Sequence, residues 1–350
     1  MEAERQKRRA EAGGAPARGL LSGLLSVFVF VAALQPAGAS GPPQIQNPPP
    51  GQNGSRPFHV EVDLVVLPVT VTDGQRHFFA GLTQNEFRIY ENGRPQTIAQ
   101  FSHDDLPVTV GLVLDSSGSM RPNRGEVTQA AKDFLLSSNP QDEVFVVNFN
   151  ESVSFGLPAS VPFTSNVEQL EEAVLRGPSY GMTALYDALG VALKHLSQAT
   201  IQKKALILIS DGGDNASHEG FQQVLASARH GNAIIYTIGI LSENAADVNP
   251  DVLRKLARET GGQAFFPESA EKLPAICRKI ARDLREQYTL AYVSTDTRRD
   301  GKYRTIRVTV RAPGHEHLRV RTRDGYYAPS GEASGTGRAQ TGAEDPRATP

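Results

Sequence analysis

The sequence predicts an α/β protein in which a doubly wound, mostly parallel sheet is joined to a small flanking β module. Three observations support this fold class. From about residue 106 to residue 286, apolar segments of strand length alternate with segments of helical periodicity. These strand segments are apolar throughout, which is typical of parallel strands that helices cover on both faces. On either side, residues 58–105 and 287–329 show the alternating pattern of shorter strands.

The N-terminal β module is predicted over residues 58–105. The segment "FHVEVDLVVLPVTVTD" alternates apolar and polar residues, and "HFFAGLTQNEFRIYENGRPQTIAQFS" adds shorter strands. Asn92-Gly93 in the second segment is a strong hairpin signal, because both residues tolerate the positive φ angles of a two-residue turn. We therefore expect two adjacent antiparallel strands at this point.

The central domain is predicted over residues 106–286. Its strand segments are "VTVGLVL", "DEVFVVNFN", "SVSFGL", "KALILIS", "AIIYTIGI" and "QAFF". Helical periodicity is present in "GEVTQAAKDFLLSS", "NVEQLEEAVLRG", "TALYDALGVALKHLSQA", "GFQQVLASARHG" and "NPDVLRKLARETG". A last helix is expected from Ala270 to about Glu286, and it leads into the next strand without a linker.

The C-terminal strands are predicted in "QYTLAYVS", "YRTIRVTVRA" and "HLRVRTRDGYYA", within residues 287–329. If the second and third segments form a hairpin, strand alternation places a ladder of arginines on one face, namely Arg307, Arg311, Arg319, Arg321 and Arg323. Like charges placed side by side destabilise a sheet unless they are paired with acids.

Glu61 and Asp63 lie on the polar face of the first predicted strand and are candidate partners for these arginines. We hypothesise that the N- and C-terminal strands form one small β-sandwich, with the α/β domain inserted between them. Two alternatives are a solvated basic face and a patch that binds an anionic partner such as acidic glycans or lipids.

Residues 1–39 have the layout of a secretory signal peptide. A basic start precedes the apolar run Leu20 to Leu34, and Ala37 and Ala39 form a small-residue cleavage site. The run is shorter than the ~20 residues of a spanning helix, although an uncleaved membrane anchor is the alternative. Residues 40–57 are expected to be a disordered linker and residues 330–350 a disordered tail. These features predict a secreted or periplasmic protein.

The amino-acid composition argues against several classes of function and of binding site. The chain of 350 residues has 36 Lys and Arg against 38 Asp and Glu, so no overall basic field favours nucleic acid. A single cysteine excludes an intrachain disulfide and a cysteine zinc site. Cys277 has the helical spacing of a buried apolar residue, and we interpret it as part of the core.

Small oxygen-bearing side chains follow two of the predicted strands. Asp115, Ser117 and Ser119 form a D-x-S-x-S motif directly after "VTVGLVL", and Asp211 directly follows "KALILIS". Thr183 begins a helix in "GMTALYDAL". In a doubly wound sheet, ligands bind at the carboxyl ends of the strands near the topological switch point. We therefore expect two carboxylates and three hydroxyls to converge there.

This set of oxygens suits a hard divalent cation such as Mg²⁺, which prefers oxygen ligands and keeps some water. Hydroxyls are neutral and weak donors, so a cation held mainly by them stays electrophilic. It can then accept an Asp or Glu of a partner as a further ligand. The neighbouring Asp214 is interpreted as a loop or helix-cap residue rather than an extra ligand.

The three motifs, in this order, resemble the metal-ion-dependent adhesion site (MIDAS) of the von Willebrand factor A (VWA) family. The resemblance covers about Leu106 to Glu286. It implies a Rossmann-like VWA domain that binds Mg²⁺, or Mn²⁺ or Ca²⁺, directly or through water. The implied ligands are Asp115, Ser117, Ser119, Thr183 and Asp211. The flanking segments "VTVTD", "GLTQNEFRIYENGRPQTIAQF", "REQYTLAY" and "GYYA" are similar to those of secreted bacterial VWA-related proteins.

The resulting functional hypothesis is a non-enzymatic, extracytoplasmic adhesion or assembly module that binds a protein partner through the cation. One alternative is a structural or assembly protein whose metal only braces the loops. The other is a metal-dependent hydrolase, although the sequence contains no G-x-S-x-G, G-x-x-x-x-G-K-[ST] or H-E-x-x-H motif. No membrane partner is expected unless the signal segment is retained.

Overall fold

The computed structural model describes residues 63–177, 180–240 and 249–331. The predicted signal peptide, the linker, Glu61 and all but the first two residues of the predicted tail lie outside the described residues. Within them, no helix is both long enough and apolar enough to cross a membrane.

A mixed α/β domain with a six-stranded sheet is the central feature, as the sequence predicts. The strand order is β10-β9-β8-β5-β6-β7, and every neighbouring pair is parallel except β6 and β7. These strands are β5 (Val108–Asp115), β6 (Glu143–Phe149), β7 (Val153–Phe155), β8 (Lys203–Ser210), β9 (Ile234–Gly239) and β10 (Ala264–Phe265). Every residue of β5 is buried, because the strand lies in the middle of the sheet with helices on both faces.

Six α-helices cover this sheet in two layers. They are α1 (Arg124–Ser137), α2 (Val167–Leu175), α3 (Leu185–Leu196), α4 (Phe221–His230), α5 (Pro250–Thr260) and α6 (Leu273–Arg285). Helix α1 packs beside α2 and α6, whereas α4 packs beside α3 and α5. The topological switch point lies at β5. The chain leads from β5 to β6 and β7 on one side of it, and then crosses through α2 and α3 to β8 on the other side.

Two antiparallel four-stranded sheets form the β module, and both contain N- and C-terminal strands. One has the order β13-β1-β11-β4 and the other β14-β12-β2-β3. Their strands are β1 (Leu64–Thr72), β2 (Phe87–Glu91), β3 (Arg94–Gln96), β4 (Ile98–Ser102), β11 (Tyr288–Val293), β12 (Tyr303–Val310), β13 (Arg319–Arg321) and β14 (Gly325–Tyr327). Apolar residues of both sheets share one core, so the two sheets pack as a sandwich. The predicted hairpin turn is present, with φ angles of 47° at Asn92 and 79° at Gly93.

The arginine ladder suggested by the sequence does not form. Strand β13 pairs with β1, whereas β12 pairs with β2 and β14, so the expected hairpin between β12 and β13 is absent. Arg307 therefore lies in one sheet, and Arg319 and Arg321 lie in the other. Asp63 pairs with Arg299 at 2.5 Å rather than with a member of the proposed ladder. Strand alternation fixed the direction of these side chains but not the partner strand.

The five arginines also differ in their surroundings. Arg307, Arg311 and Arg319 are exposed, and the Arg307 guanidinium lies 4.6 Å from the centre of the Tyr90 ring. Arg321 is half-buried and pairs with Asp283. Arg323 is buried, and it donates hydrogen bonds to the Asn232 side chain and, at 3.1 Å, to the carbonyl of Val66. The group is therefore not one solvated basic face.

Asp283 joins the α/β domain to the β module. It lies on α6 and is buried, yet it is an acid. Its carboxylate accepts hydrogen bonds from the Thr70 hydroxyl at 2.8 Å and the Tyr236 hydroxyl at 2.9 Å, and from Arg321. Thr70 and Arg321 belong to β1 and β13, and Tyr236 belongs to β9. One buried carboxylate thus connects α6, the central sheet and the sandwich.

Candidate metal centre

The serine motif lies at the carboxyl end of the central strand. Asp115 is the last residue of β5, and Ser117 precedes a short 3₁₀ helix, Gly118–Asn123, that leads into α1. Asp115 and Ser117 are buried, whereas Ser119 is exposed. The motif therefore extends from the end of the buried strand to the surface.

Three of the predicted residues form a continuous chain of side-chain contacts. The Ser117 and Ser119 hydroxyl oxygens are 3.1 Å apart, and the Ser119 hydroxyl donates to Asp211 Oδ2 at 2.9 Å. Asp211 follows the last residue of β8, which is the strand beside β5 in the sheet. Parallel strands end at the same edge, so the two motifs meet although 92 residues separate Ser119 from Asp211.

Asp115 is held by hydrogen bonds on both carboxylate oxygens. Its Oδ1 accepts from the Ser117 backbone N–H at 2.9 Å, and its Oδ2 accepts from the Ser210 hydroxyl at 2.7 Å. Burial raises the pKa of Asp115 to about 6, the hydrogen bonds from Ser117 and Ser210 oppose that change, and the negative charge of Asp211 adds to it. This position favours a neutralising cation.

Backbone hydrogen bonds connect the Thr183 loop to the loops that carry the other predicted residues. Thr183 is buried two residues before the start of α3 (Leu185–Leu196). Its N–H donates to Asn215 Oδ1 at 2.8 Å, and its carbonyl accepts from the Asn215 N–H at 3.0 Å. The Gly118 N–H also donates to the Gly181 carbonyl at 3.5 Å, which connects the Thr183 loop to the serine motif. The three loops are thus joined to one another.

Three supporting residues were not predicted from the sequence: Ser210, Asn215 and Asn150. The Asn150 carbonyl accepts from the Ala184 N–H at 2.7 Å, and its side-chain amide donates to the Tyr180 carbonyl at 2.8 Å. Their positions in the sequence could have identified them, because each lies at the end of a strand or within four residues of Asp211. Asp214 is a cap residue, as predicted: its carboxylate accepts from the Tyr186 N–H at 3.3 Å and the Ser217 hydroxyl at 2.5 Å.

The chemistry of these side chains fits a hard divalent cation. Asp115 and Asp211 are both buried, at 6% and 5% exposure, and repel each other in the absence of positive charge. Hydroxyl and carboxylate oxygens are the ligands that Mg²⁺ prefers. No group of three or more His, Cys, Asp or Glu residues suited to a metal occurs in the described part of the chain. A cation at this edge would therefore rely on hydroxyls as well as the two acids.

The loop beside Thr183 presents large apolar side chains to solvent. Tyr180 and Met182 are 69% and 54% exposed, respectively, whereas Thr183 between Met182 and α3 is buried. Exposed aromatic and methionine side chains are enriched at protein–protein interfaces. The edge of the sheet therefore combines a cluster of oxygens with an adjacent apolar surface.

Comparison with known proteins agrees with the architecture. The model of the von Willebrand factor type A domain matches residues 109–279. The inter-alpha-trypsin inhibitor heavy chain H3 of Bos taurus is 26% identical over 48% of this chain and 21% of its own length. An uncharacterized protein of Borreliella burgdorferi is 25% identical over 46% of this chain and 54% of its own length. The chain thus spans about a fifth and about half of these relatives.

Among solved structures, a von Willebrand factor type A protein from Catenulispora acidiphila is 15% identical. The alignment covers 77% of this chain and 74% of that chain, with a TM-score of 0.47. The matched residues 109–279 include the serine motif, Thr183 and Asp211. Residues 109–279 therefore form a domain of the von Willebrand factor type A family.

Proposed function

We propose that this protein is a non-enzymatic, extracytoplasmic module that binds a protein partner through a divalent cation. The observation that carries the proposal is the contact chain Ser117–Ser119–Asp211 at the carboxyl edge of the sheet, with the buried Asp115 beside it. The proposed ligands are Asp115, Ser117, Ser119, Thr183 and Asp211. The proposed ion is Mg²⁺, with Mn²⁺ and Ca²⁺ as alternatives.

Each group has a distinct part in this proposal. Asp115 and Asp211 supply negative charge that holds the cation, and Ser210 keeps Asp115 oriented through its 2.7 Å hydrogen bond. The three hydroxyls add ligands without adding charge. When bound, the cation supplies a Lewis-acidic site that takes an Asp or Glu carboxylate of the partner. The exposed Ser119 marks the side from which that carboxylate approaches.

The exposed Tyr180 and Met182 supply the contacts around that central carboxylate. A single carboxylate–cation contact leaves partner choice weakly defined, whereas adjacent aromatic and apolar contacts add both affinity and specificity. The proposed partner therefore presents an acidic residue with apolar neighbours. The proposed location outside the cytoplasm follows from the signal-peptide pattern of residues 1–39.

Two features favour this function over the alternatives. The loops are already held together by the Thr183–Asn215 and Gly118–Gly181 hydrogen bonds, so a cation is not needed merely to brace them. For a hydrolase acting on phosphoesters, Arg121 and Arg124 are the nearby candidates to take phosphate charge. The Arg124 guanidinium instead donates to the backbone carbonyls of Leu175 and Gly177, which leaves Arg121 as the remaining candidate.

A peptide array tests the proposal directly. The array presents Asp or Glu at the centre of varied sequences, each beside the matched Asn or Gln peptide. We expect binding to acidic peptides in Mg²⁺, loss of binding in EDTA, and loss in the Ser119→Ala variant. Ser197→Ala is the matched control, because its hydroxyl donates to the Lys194 carbonyl at the C-terminal end of α3, the end opposite Thr183.

Two results would contradict the proposal. Binding that persists unchanged in EDTA would show that the cation is not part of the contact. Unfolding of the chain on chelation, measured by circular dichroism, would favour the bracing alternative instead.

A further inference from the structure

A cleft of about 560 Å³ lies between the α/β domain and the β module. One wall is formed by α5 and the residues before β10, and the other by β12, β13 and the residues that follow β13. Because the cleft contacts the start of β10, it lies toward the amino edge of the parallel strands. The candidate metal centre lies at the opposite, carboxyl edge, so the two sites are separate.

The residues that line the cleft carry far more positive than negative charge. Asp324 is the one acidic residue among the residues that line it, whereas five arginines do so, namely Arg254, Arg258, Arg307, Arg321 and Arg323. Two of these arginines already have acidic partners. Arg321 pairs with Asp283, and Arg254 pairs with Asp251 at 3.0 Å. Three guanidinium groups therefore remain against the single carboxylate of Asp324.

The three remaining arginines come from both walls. Arg258 is exposed on α5, and Arg307 is exposed on β12, where it stacks on the Tyr90 ring. Arg323 is 8% exposed, and its Nε has no hydrogen-bond partner within the described residues. The Arg323 guanidinium also donates to the Asn232 side chain and the Val66 carbonyl, which do not line the cleft. The exposed charged donors that the cleft offers on its two sides are therefore Arg258 and Arg307.

We propose that this cleft binds a small organic anion that carries at least two negative groups. Guanidinium groups bind phosphate and carboxylate oxygens in a bidentate manner. A ligand with two anionic groups can reach Arg258 on one wall and Arg307 on the other. The volume falls within the ~300–1,000 Å³ typical of small-molecule sites. Ile306, Val308 and Val320 supply apolar surface for the carbon part of such a ligand.

Isothermal titration of the full chain with pyrophosphate and with citrate tests the proposal. Divalent cations are first removed by dialysis, so the candidate metal centre does not contribute. We expect saturable binding of at least one probe with one site per chain, and no comparable binding of acetate at equal ionic strength. The tighter probe identifies phosphate or carboxylate as the preferred group.

Variants distinguish a specific binding site from general electrostatic attraction of anions to a basic surface. Arg258→Ala and Arg307→Ala should each weaken binding about tenfold or more, because each removes a charged hydrogen-bond donor. Arg311→Ala is the matched control: it removes the same charge from an exposed residue near Arg307 that does not line the cleft. It should bind like the unchanged protein.

The proposal is overturned if neither probe binds saturably at millimolar concentration. It is also overturned if Arg311→Ala weakens binding as much as Arg307→Ala, since the effect would then be general electrostatics. Thermal unfolding of each variant verifies that it is folded. Failure here leaves the metal-dependent function untouched, because these experiments contain no divalent cation.

Discussion

The Ser119 hydroxyl donates a hydrogen bond to Asp211 Oδ2 at 2.9 Å, across 92 residues of sequence. The two residues follow neighbouring strands, β5 and β8, so the sheet itself brings them together. A hydroxyl and a carboxylate at this distance can share one cation as ligands. The same edge holds Asp115, whose charge is unfavourable without positive charge nearby.

The affinity for Mg²⁺ should depend on pH through Asp115. Its pKa of about 6 means that the carboxyl is largely protonated below pH 6, and a proton must leave when the cation binds. We expect affinity to rise up to about tenfold per pH unit below pH 6 and to level off above it. Titration calorimetry in buffers of different ionisation enthalpy measures both affinity and proton release. Constant affinity between pH 5 and pH 7 would contradict this assignment.

The stability of the metal-free protein should respond to pH in the opposite sense. The folded pKa of Asp115 lies above its ordinary value of 3.8, so its contribution to stability is fully present below pH 3.8. It is lost as pH rises through about 6, with a maximum effect of roughly 3 kcal/mol. The Asp115→Asn variant lacks this titration. Its stability relative to the unchanged protein should therefore increase between pH 4 and pH 6, measured by urea unfolding in EDTA.

If the stabilities of both proteins changed with pH in the same way across that range, Asp115 would not be the source of the pH dependence. The comparison uses differences between the two proteins, so other titrating groups largely cancel.

Substitution of Asp283 should destabilise the whole molecule. Asp283→Ala leaves Arg321 without its carboxylate and removes the acceptor of the Thr70 and Tyr236 hydroxyls. Because the pair is largely buried, we expect a loss of about 3 kcal/mol. Glu268→Ala is the control: it breaks an exposed pair with Lys272, which solvent screens, and should change stability far less. Equal urea midpoints for the two variants would contradict the role assigned to Asp283.

Cys277 should be unreactive in the folded protein. It is buried on α6 at 1% exposure, and burial raises the pKa of its thiol to about 12. The thiolate is the reactive form, so a disulfide reagent should label Cys277 only when the chain unfolds. Labelling rates followed across a urea series should match the unfolded fraction. Rapid labelling in native buffer would contradict the buried position.

Much of the architecture could be predicted because its signals are local or periodic. Buried parallel strands are continuous apolar runs, and the Asn92-Gly93 turn requires positive φ at both positions. The motif residues Ser119 and Asp211 were predicted to meet since strand ends in a parallel sheet share one edge. The contact between them follows from topology rather than from proximity in sequence.

The supporting residues and the arginine pairing could not be predicted in the same way. Ser210 donates a hydrogen bond to Asp115, but no motif or regular spacing in the sequence marks this contact. Strand alternation tells which way a side chain points but not which strand lies beside it. Arg321 therefore pairs with Asp283 of α6 instead of an acid of the N-terminal strand, because β13 adds to β1 beside that helix.

The most direct test of the central claim is Mg²⁺ binding measured by titration calorimetry at pH 7.5. The unchanged protein should bind one ion, and Ser119→Ala and Asp211→Ala should each lose most of this affinity, while Ser197→Ala should retain it. If Asp211→Ala binds Mg²⁺ as well as the unchanged protein does, the two motifs do not share a cation, and the proposed adhesion site is wrong.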